Sequence, residues 1–242
     1  DPTSATICVG GNNTFSSTAS GTGIGYQWQV NTGSGFTDIP TATASSYTVT
    51  GATAGMNGNQ YRVVVTGTCS PAATSAAATL TVISPVVVAT QPAAATEICC
   101  GSNTSLSVTG TSAQPITYQW QVNTGAGFNN VTNGNGIAGA NSATLTFTNS
   151  TVAMTGTYRV QLSNTTCTAP TTSASAVLTV RQLPTVGLTA SLSSLLPGQT
   201  SLLTATPSAQ TAGVLTTTWL YNGTAVANAG NTRLINVEQI GT

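Results

Sequence analysis

Lysine and histidine are absent from this 242-residue chain, and its four arginines are balanced by four acids. Charged residues make up 3% of the sequence, against roughly 25% in ordinary globular domains. Without histidine, general acid–base chemistry is left to Asp1, Asp38, Glu97 and Glu238. These lie in separate repeats or at a terminus, and no two form a local pair suited to glycoside chemistry. Serine and threonine abound, but no base stands near to activate one, and no Asp-rich loop suits calcium. The chain therefore reads as a non-enzyme with no cofactor and no metal site. Lacking a basic stripe, it has no means of neutralising nucleic-acid phosphates and no anchor for anionic lipid. No run of 18 apolar residues occurs, so no membrane insertion is expected. The start, Asp1-Pro2-Thr3-Ser4, has neither a basic nor an apolar leader region, so an export signal is expected to be already removed or to lie outside this chain.

What the chain has is repetition. Tyr26-Gln27-Trp28-Gln29-Val30-Asn31-Thr32-Gly33 recurs letter for letter at Tyr118–Gly125, with a looser copy at Thr217-Thr218-Trp219-Leu220-Tyr221-Asn222-Gly223. The three tryptophans are spaced by 92 and 99 residues, the length of small β-sandwich domains. Alternation puts each Trp and its i±2 neighbours on one face and the glutamines of the first two copies on the other, the pattern of a strand with one buried side. Asn-Gly elements after each copy mark a hairpin turn. Hydrophobic residues are 40% of the chain and regularly patterned, which argues against disorder.

Short runs rich in Thr, Val and aromatics, bounded by Gly, Asn or Pro, predict sandwich strands. Domain 1 (residues 1–84) offers strands B (14–19), C (26–30), E (46–50), F (61–66) and G (79–83). Domain 2 (residues 85–182) adds a first strand at 86–89 and repeats the rest around Leu106, Trp120, Leu145, Tyr158 and Leu178. Domain 3 (residues 183–242) offers strands at 186–190, 200–206, 216–221 and 232–237, and stops at Ile240-Gly241-Thr242 where strand F is expected to open. Domain 1 lacks a counterpart of Val86–Ala89, and domain 3 lacks strands F and G. Two readings stay open: a window on a longer array, or strands supplied by a neighbouring chain.

The five cysteines fall at matching places. Cys8 aligns with Cys99 and Cys69 with Cys167, one pair per domain, so each domain is expected to hold its own disulfide in an oxidising compartment. Metal binding by these thiols is disfavoured, because nothing supplies the remaining ligands. Cys100 is left over, aligned with Val9: a buried thiol, an alternative partner for Cys167, or an intermolecular link, with the inert thiol preferred.

Gly58–Tyr61 and Gly156–Tyr158, each followed by Arg-Val (Arg62-Val63 and Arg159-Val160), resemble an immunoglobulin-like domain with a tyrosine corner, the Trp lying on strand C. Trp28, Trp120, Trp219, Tyr61 and Tyr158 are then core markers. Tyr-Gln-Trp-Gln, Gly-Thr-Tyr and closing Leu-Thr-Val resemble the Ig-like and PKD-like repeats of very large secreted Bacteroidota surface proteins. That resemblance implies all-β tandem Ig-like sandwiches, the third incomplete, at the cell surface or secreted, serving as a filament or adhesive stalk. The alternative is a set of carbohydrate-binding or spacer modules of a secreted multidomain enzyme. The cysteines depart from the antibody pattern, because Val63 and Val160 stand where the second Cys would be. A staple from the approach to strand B to the F–G connection is expected instead, with Pro197-Gly198-Gln199 replacing it in domain 3.

Expected partners are copies of the chain itself or neighbouring repeats of a longer one, with a surface glycan or a protein as further ligand classes. Asn12, Asn103, Asn130, Asn149, Asn164 and Asn222 begin Asn-x-Ser/Thr sequons that permit glycans. Arg62 and Arg159 read as solvated charges on strand F that discourage edge pairing. The Asn/Gly-rich insertion Asn129–Asn141 reads as polar filler rather than a binding loop.

Overall fold

The computed structural model describes residues 1–194, 196, 199–207, 218–221, 224–226 and 232–236. In the first repeat, β1 (Ala5–Cys8), β2 (Asn13–Ser16), β3 (Gly25–Asn31), β4 (Phe36–Asp38), β5 (Ser46–Val49), β6 (Gln60–Thr66), β7 (Ala73–Thr74) and β8 (Ala78–Ile83) follow one another. Its main sheet runs β1-β8-β6-β3-β4, with β7 on β6, and the pair β2–β5 faces it. The second repeat contains β9 (Val87–Thr90), β10 (Ala95–Cys99), β11 (Thr104–Ser107), β12 (Thr109–Thr111), β13 (Ile116–Asn123), β14 (Phe128–Asn130), β15 (Ile137–Ala138), β16 (Thr144–Phe147), β17 (Gly156–Asn164), β18 (Thr171–Thr172) and β19 (Ala176–Arg181). Its sheet β10-β19-β17-β13-β14 faces β11-β16-β15, and β12 pairs with β9. Beyond it lie β20 (Val186–Ala190), β21 (Thr200–Pro207), β22 (Trp219–Tyr221), β23 (Thr224–Val226) and β24 (Thr232–Asn236), joined as β20-β21-β24 and β22–β23. Pro197-Gly198, Thr216-Thr217, Asn222-Gly223, Val237, Glu238 and Ile240–Thr242 lie outside the described residues.

Alternation along the central strands decides what each core contains. Trp28 on β3 and Trp120 on β13 have no exposed surface, and each indole N–H donates across the sandwich, to the Ala44 carbonyl at 3.0 Å and the Ser142 carbonyl at 2.9 Å. A buried indole thus keeps its one donor satisfied. Around Trp28 the first core is aromatic, with Phe15 stacked on Tyr61 at 4.7 Å and Tyr47 on Tyr61 at 5.9 Å. The second core substitutes Leu106 and Leu145 and places Phe147 edge-on to Tyr158 at 5.2 Å. Trp219 on β22 is half-buried.

Each Tyr-Gln-Trp-Gln strand turns into the next through a hairpin with a four-residue loop. Asn31 Oδ1 accepts from the N–H groups of Gly33 and Gly35, and Asn123 Oδ1 does the same for Gly125 and Gly127. All four glycines have positive φ, at 117°, 102°, 125° and 95°, which a side chain would strain.

One strand per repeat differs from the expectation. The residues leading to Cys8 and Cys99, which the sequence places in the approach to strand B, form β1 and β10, which pair in parallel with the last strand of their own repeat. The register runs Ala5↔Leu80 to Cys8↔Ile83, and Ala95↔Val177 to Cys99↔Arg181.

Tyr158 closes the corner of the second repeat by donating its hydroxyl to the Met154 carbonyl at 2.7 Å. Burial pushes this phenol up to about 12, and burial also raises Tyr61. Since the folded values exceed the ordinary value of 10.0, the stabilisation is whole below pH 10 and is lost as pH rises toward 12. Thermal melts from pH 8 to 12 should be flat to about pH 10 and then fall. Tyr158→Phe should cost about 1 kcal/mol at neutral pH and shrink the alkaline loss. An unchanged alkaline slope in that variant would remove Tyr158 from the account.

Candidate functional site: the junction between the repeats

The acids do not converge. Asp1 Oδ1 accepts from the Ala76 N–H, Asp38 Oδ1 from Gln29 Nε2, and Glu97 pairs with Arg181. The Arg181 guanidinium holds the Glu97 carboxyl below its usual range. Glu238 lies outside the described residues, and among those residues no three His, Cys, Asp or Glu side chains group as metal ligands would.

The outer face of each main sheet carries a repeated polar ladder that the sequence reading missed. The Arg62 guanidinium lies 3.9 Å above the Phe36 ring, and its Nε donates to Gln29 Oε1 at 2.7 Å, while Gln29 Nε2 donates on to Asp38. Arg159 repeats this over Phe128 at 3.9 Å, with Gln121 and then Asn130 completing the ladder. Both arginines are therefore stacked and hydrogen-bonded instead of freely solvated, each stack worth about 0.5–1 kcal/mol at such exposure. The identical Trp-Gln and Tyr-Arg-Val phrases were the available signal.

The cysteines form a different constellation from the one expected. Cys8 is bonded to Cys167, with Cα atoms 5.1 Å apart at a sequence separation of 159, while Cys69 and Cys99 are free and exposed. The proposed pairs Cys8–Cys69 and Cys99–Cys167 are thus corrected. The parallel pairing of β1 explains why: it leaves Cys8 beside Ile83, where the chain leaves the repeat. Cys69 sits before β7, at the opposite end of the same sandwich. From Ala73 to Ile83 the chain advances roughly 30 Å if extended, whereas disulfide Cα atoms lie within about 7 Å. The F–G connection that comes close to Cys8 is that of the next repeat.

Asn164, at the end of β17, shapes that contact. Its Oδ1 accepts from the N–H of Cys167 at 2.6 Å and of Thr166 at 3.1 Å, which folds the loop so that Cys167 turns inward. Its Nδ2 donates at 3.1 Å both to Ser112 Oγ and to the Ser84 carbonyl of the linker. Asn164 and Cys167 are each 2% exposed, and the Cys167 sulfur lies 3.2 Å from the Ile83 carbonyl oxygen. One side chain therefore orders the loop, ties it to the neighbouring turn and grips the incoming linker. This also corrects the reading of Asn164 as a glycan acceptor, because its amide is buried and fully engaged.

Of the other sequons, Asn12, Asn103, Asn130 and Asn149 are exposed, and Asn222 lies outside the described residues. Cys100 is half-buried against the second core, its N–H donating to the Arg181 carbonyl as that of Val9 does to Ile83. The Asn129–Asn141 insertion is only partly polar filler. Val131 and Ala140 are buried in the second core, and β15 within it extends the facing sheet.

Two stacked sheets per repeat, a tryptophan crossing each core and a final strand flanked in parallel by an early one define a tandem immunoglobulin-like repeat protein. The model of the family described as Domain of unknown function (DUF8696) matches residues 2–84 and again 88–182, so the chain belongs to that family and carries two of its domains in tandem. No curated protein matches the sequence. Among solved structures, an I-band fragment of titin is 16% identical with a TM-score of 0.59, covering 91% of this chain and 83% of that one. A three-Ig structure of titin domains carrying an E-to-A mutation is also 16% identical, with a TM-score of 0.60 and coverage of 94% and 79%. At this identity the likeness is one of fold.

If Asn164 organises the junction, Asn164→Ala should leave buried N–H groups and the Ser84 carbonyl unpaired, at a cost of about 1–3 kcal/mol. Differential scanning calorimetry should show the loss, and hydrogen exchange should localise it to the 164–167 loop and the linker. Unchanged protection there would mean that the disulfide alone sets the contact.

Proposed function

We propose that this chain is a load-bearing segment of an extracellular structural array, a cell-surface filament or adhesive stalk built from tandem Ig-like repeats. The observation that carries the reading is the disulfide across the junction. Tension entering at Cys8 passes through the sulfur bridge to Cys167 and bypasses residues 9–166, which include the linker and the tryptophan strands β3 and β13 of both repeats. A bond closing 159 residues also removes about 5 kcal/mol of chain entropy from the opened state in the loop-closure model.

Other features fit this role. A disulfide persists where the surroundings are oxidising, outside the cytosol. Near-zero net charge leaves little repulsion to keep copies of the chain apart, and copies or neighbouring repeats are the partners this reading assigns. The exposed sequon asparagines leave room for surface glycans.

Stretching single molecules from their two ends tests the role. Under oxidising conditions the bridged residues 9–166 should contribute no extension. Reduction should release about 550 Å of additional contour length as those residues unravel. Equal contour lengths before and after reduction would contradict a strap that carries force.

A further inference from the structure

In the second repeat the insertion after β14 closes one side of the facing sheet. There β15 pairs antiparallel with β16, Ile137 opposite Phe147 and Ala138 opposite Thr146. The Val108 N–H donates to the Ala143 carbonyl at 2.9 Å, which sets the phase of the β11–β16 ladder. Leu145 and Phe147 then bond to β11, while Thr146 and Thr148 turn their backbone groups the other way. The insertion meets those groups. The Thr148 N–H donates to the Gly136 carbonyl at 2.8 Å, and the Thr146 and Thr148 hydroxyls donate to the Ala138 and Gly136 carbonyls, each at 3.2 Å.

The first repeat has the same ladder without that cover. The Ser17 N–H donates to the Ser45 carbonyl at 2.9 Å, so Tyr47 and Val49 bond to β2, and Ser46 and Thr48 aim their N–H and C=O groups away from it. Thr50 stands where Thr148 does in the second repeat. Residues 39–45 lead straight from β4 to β5, whereas residues 131–143 lead from β14 to β16 and carry β15 on the way. Among the described residues β5 pairs with β2 alone, and Ser46, Thr48 and Thr50 are exposed. The missing cover is thus set inside the repeat, by the short connection at residues 39–45.

Edge strands are normally blunted by a charge, a proline, a bulge or a covering segment. β5 has none of these. Ser46-Tyr47-Thr48-Val49-Thr50 is uncharged, free of Pro and Gly, rich in strand-forming residues, and in unbroken register with β2. By contrast β4, the free edge of the main sheet, is three residues long and ends on Asp38.

We propose that β5 is a strand-addition site, and that its partner is β5 of a second copy of the chain. Antiparallel pairing about a twofold axis sets Thr48 opposite Thr48 and Ser46 opposite Thr50, so the outward N–H groups of each copy meet carbonyls of the other. Hydroxyl side chains then face one another, a favourable cross-strand match, and no like charges are opposed. The product is a sheet β2-β5-β5-β2 continuous across two copies, a closed contact that joins chains side by side in pairs. It gives the copies assigned above as partners a surface to meet on. It does not depend on the disulfide strap, so this test and the stretching test can fail separately.

Sedimentation of the full chain, its free thiols alkylated so that no disulfide joins copies, tests the pairing. At low ionic strength the weight-average mass should rise with concentration from 24.1 kDa toward twice that value. Thr48→Pro, which removes the outward N–H and leaves the β2 ladder whole, should stay monomeric. Thr48→Lys and Thr48→Glu each oppose like charges and should weaken association about fivefold. An equimolar mixture of these two should regain at least the wild-type strength, which also shows that both variants fold. Wild-type chain that is monomeric up to about 1 mM would overturn the proposal. So would charged variants that associate as strongly as wild type, or a mixture no stronger than either variant alone.

Discussion

The parallel pairing of β1 with β8, repeated by β10 with β19, is the constraint on which the rest of the arrangement depends. A strand that runs with the last strand of its own repeat carries its final residue to the exit of that repeat. A cysteine there is out of reach of its own F–G connection and within reach of the next one. The direction of one short strand therefore decides whether the cysteines staple each sandwich or join successive ones.

The sandwich itself was legible in the sequence because its signals are local. Trp28 and Trp120 with their i±2 neighbours give a two-residue period, and Gly before Tyr-Arg-Val marks the corner. Both patterns act within a few residues and survive in each repeat. The arginine ladders were half legible. Alternation placed Arg62 and Arg159 outward correctly, but the stack on Phe36 and Phe128 needs the cross-strand register, which alternation leaves open. The cysteine pairing was not legible, because matching repeats identifies equivalent positions without saying which copies touch. Ala5–Cys8 and Ala95–Cys99 are short, and nothing in four or five residues announces parallel pairing with a strand 75 residues later in the first repeat (Ala5↔Leu80) and 82 in the second (Ala95↔Val177).

The junction combines a covalent bond with a polar clasp. The disulfide fixes distance, while Asn164 converts a loop and a linker carbonyl into a satisfied buried contact. In the first repeat Gly67 occupies the place of Asn164, so the loops around Cys69, tied through the Thr68 hydroxyl to the Thr22 carbonyl, lack that amide. The two pairs of tied loops thus differ in polar grip, the second holding the linker through Asn164.

The pairing of Cys8 with Cys167 is the central claim, and the four arginines make it directly readable. Free thiols are blocked at low pH, and the denatured, non-reduced chain is then cut with trypsin at Arg62, Arg159, Arg181 and Arg233. Mass spectrometry should find peptide 1–62 joined to peptide 160–181, with peptide 63–159 separate from both and carrying three blocked thiols at Cys69, Cys99 and Cys100. If each repeat instead held its own bridge, peptide 63–159 would be covalently joined to both others in one three-peptide species. That species would contradict the account.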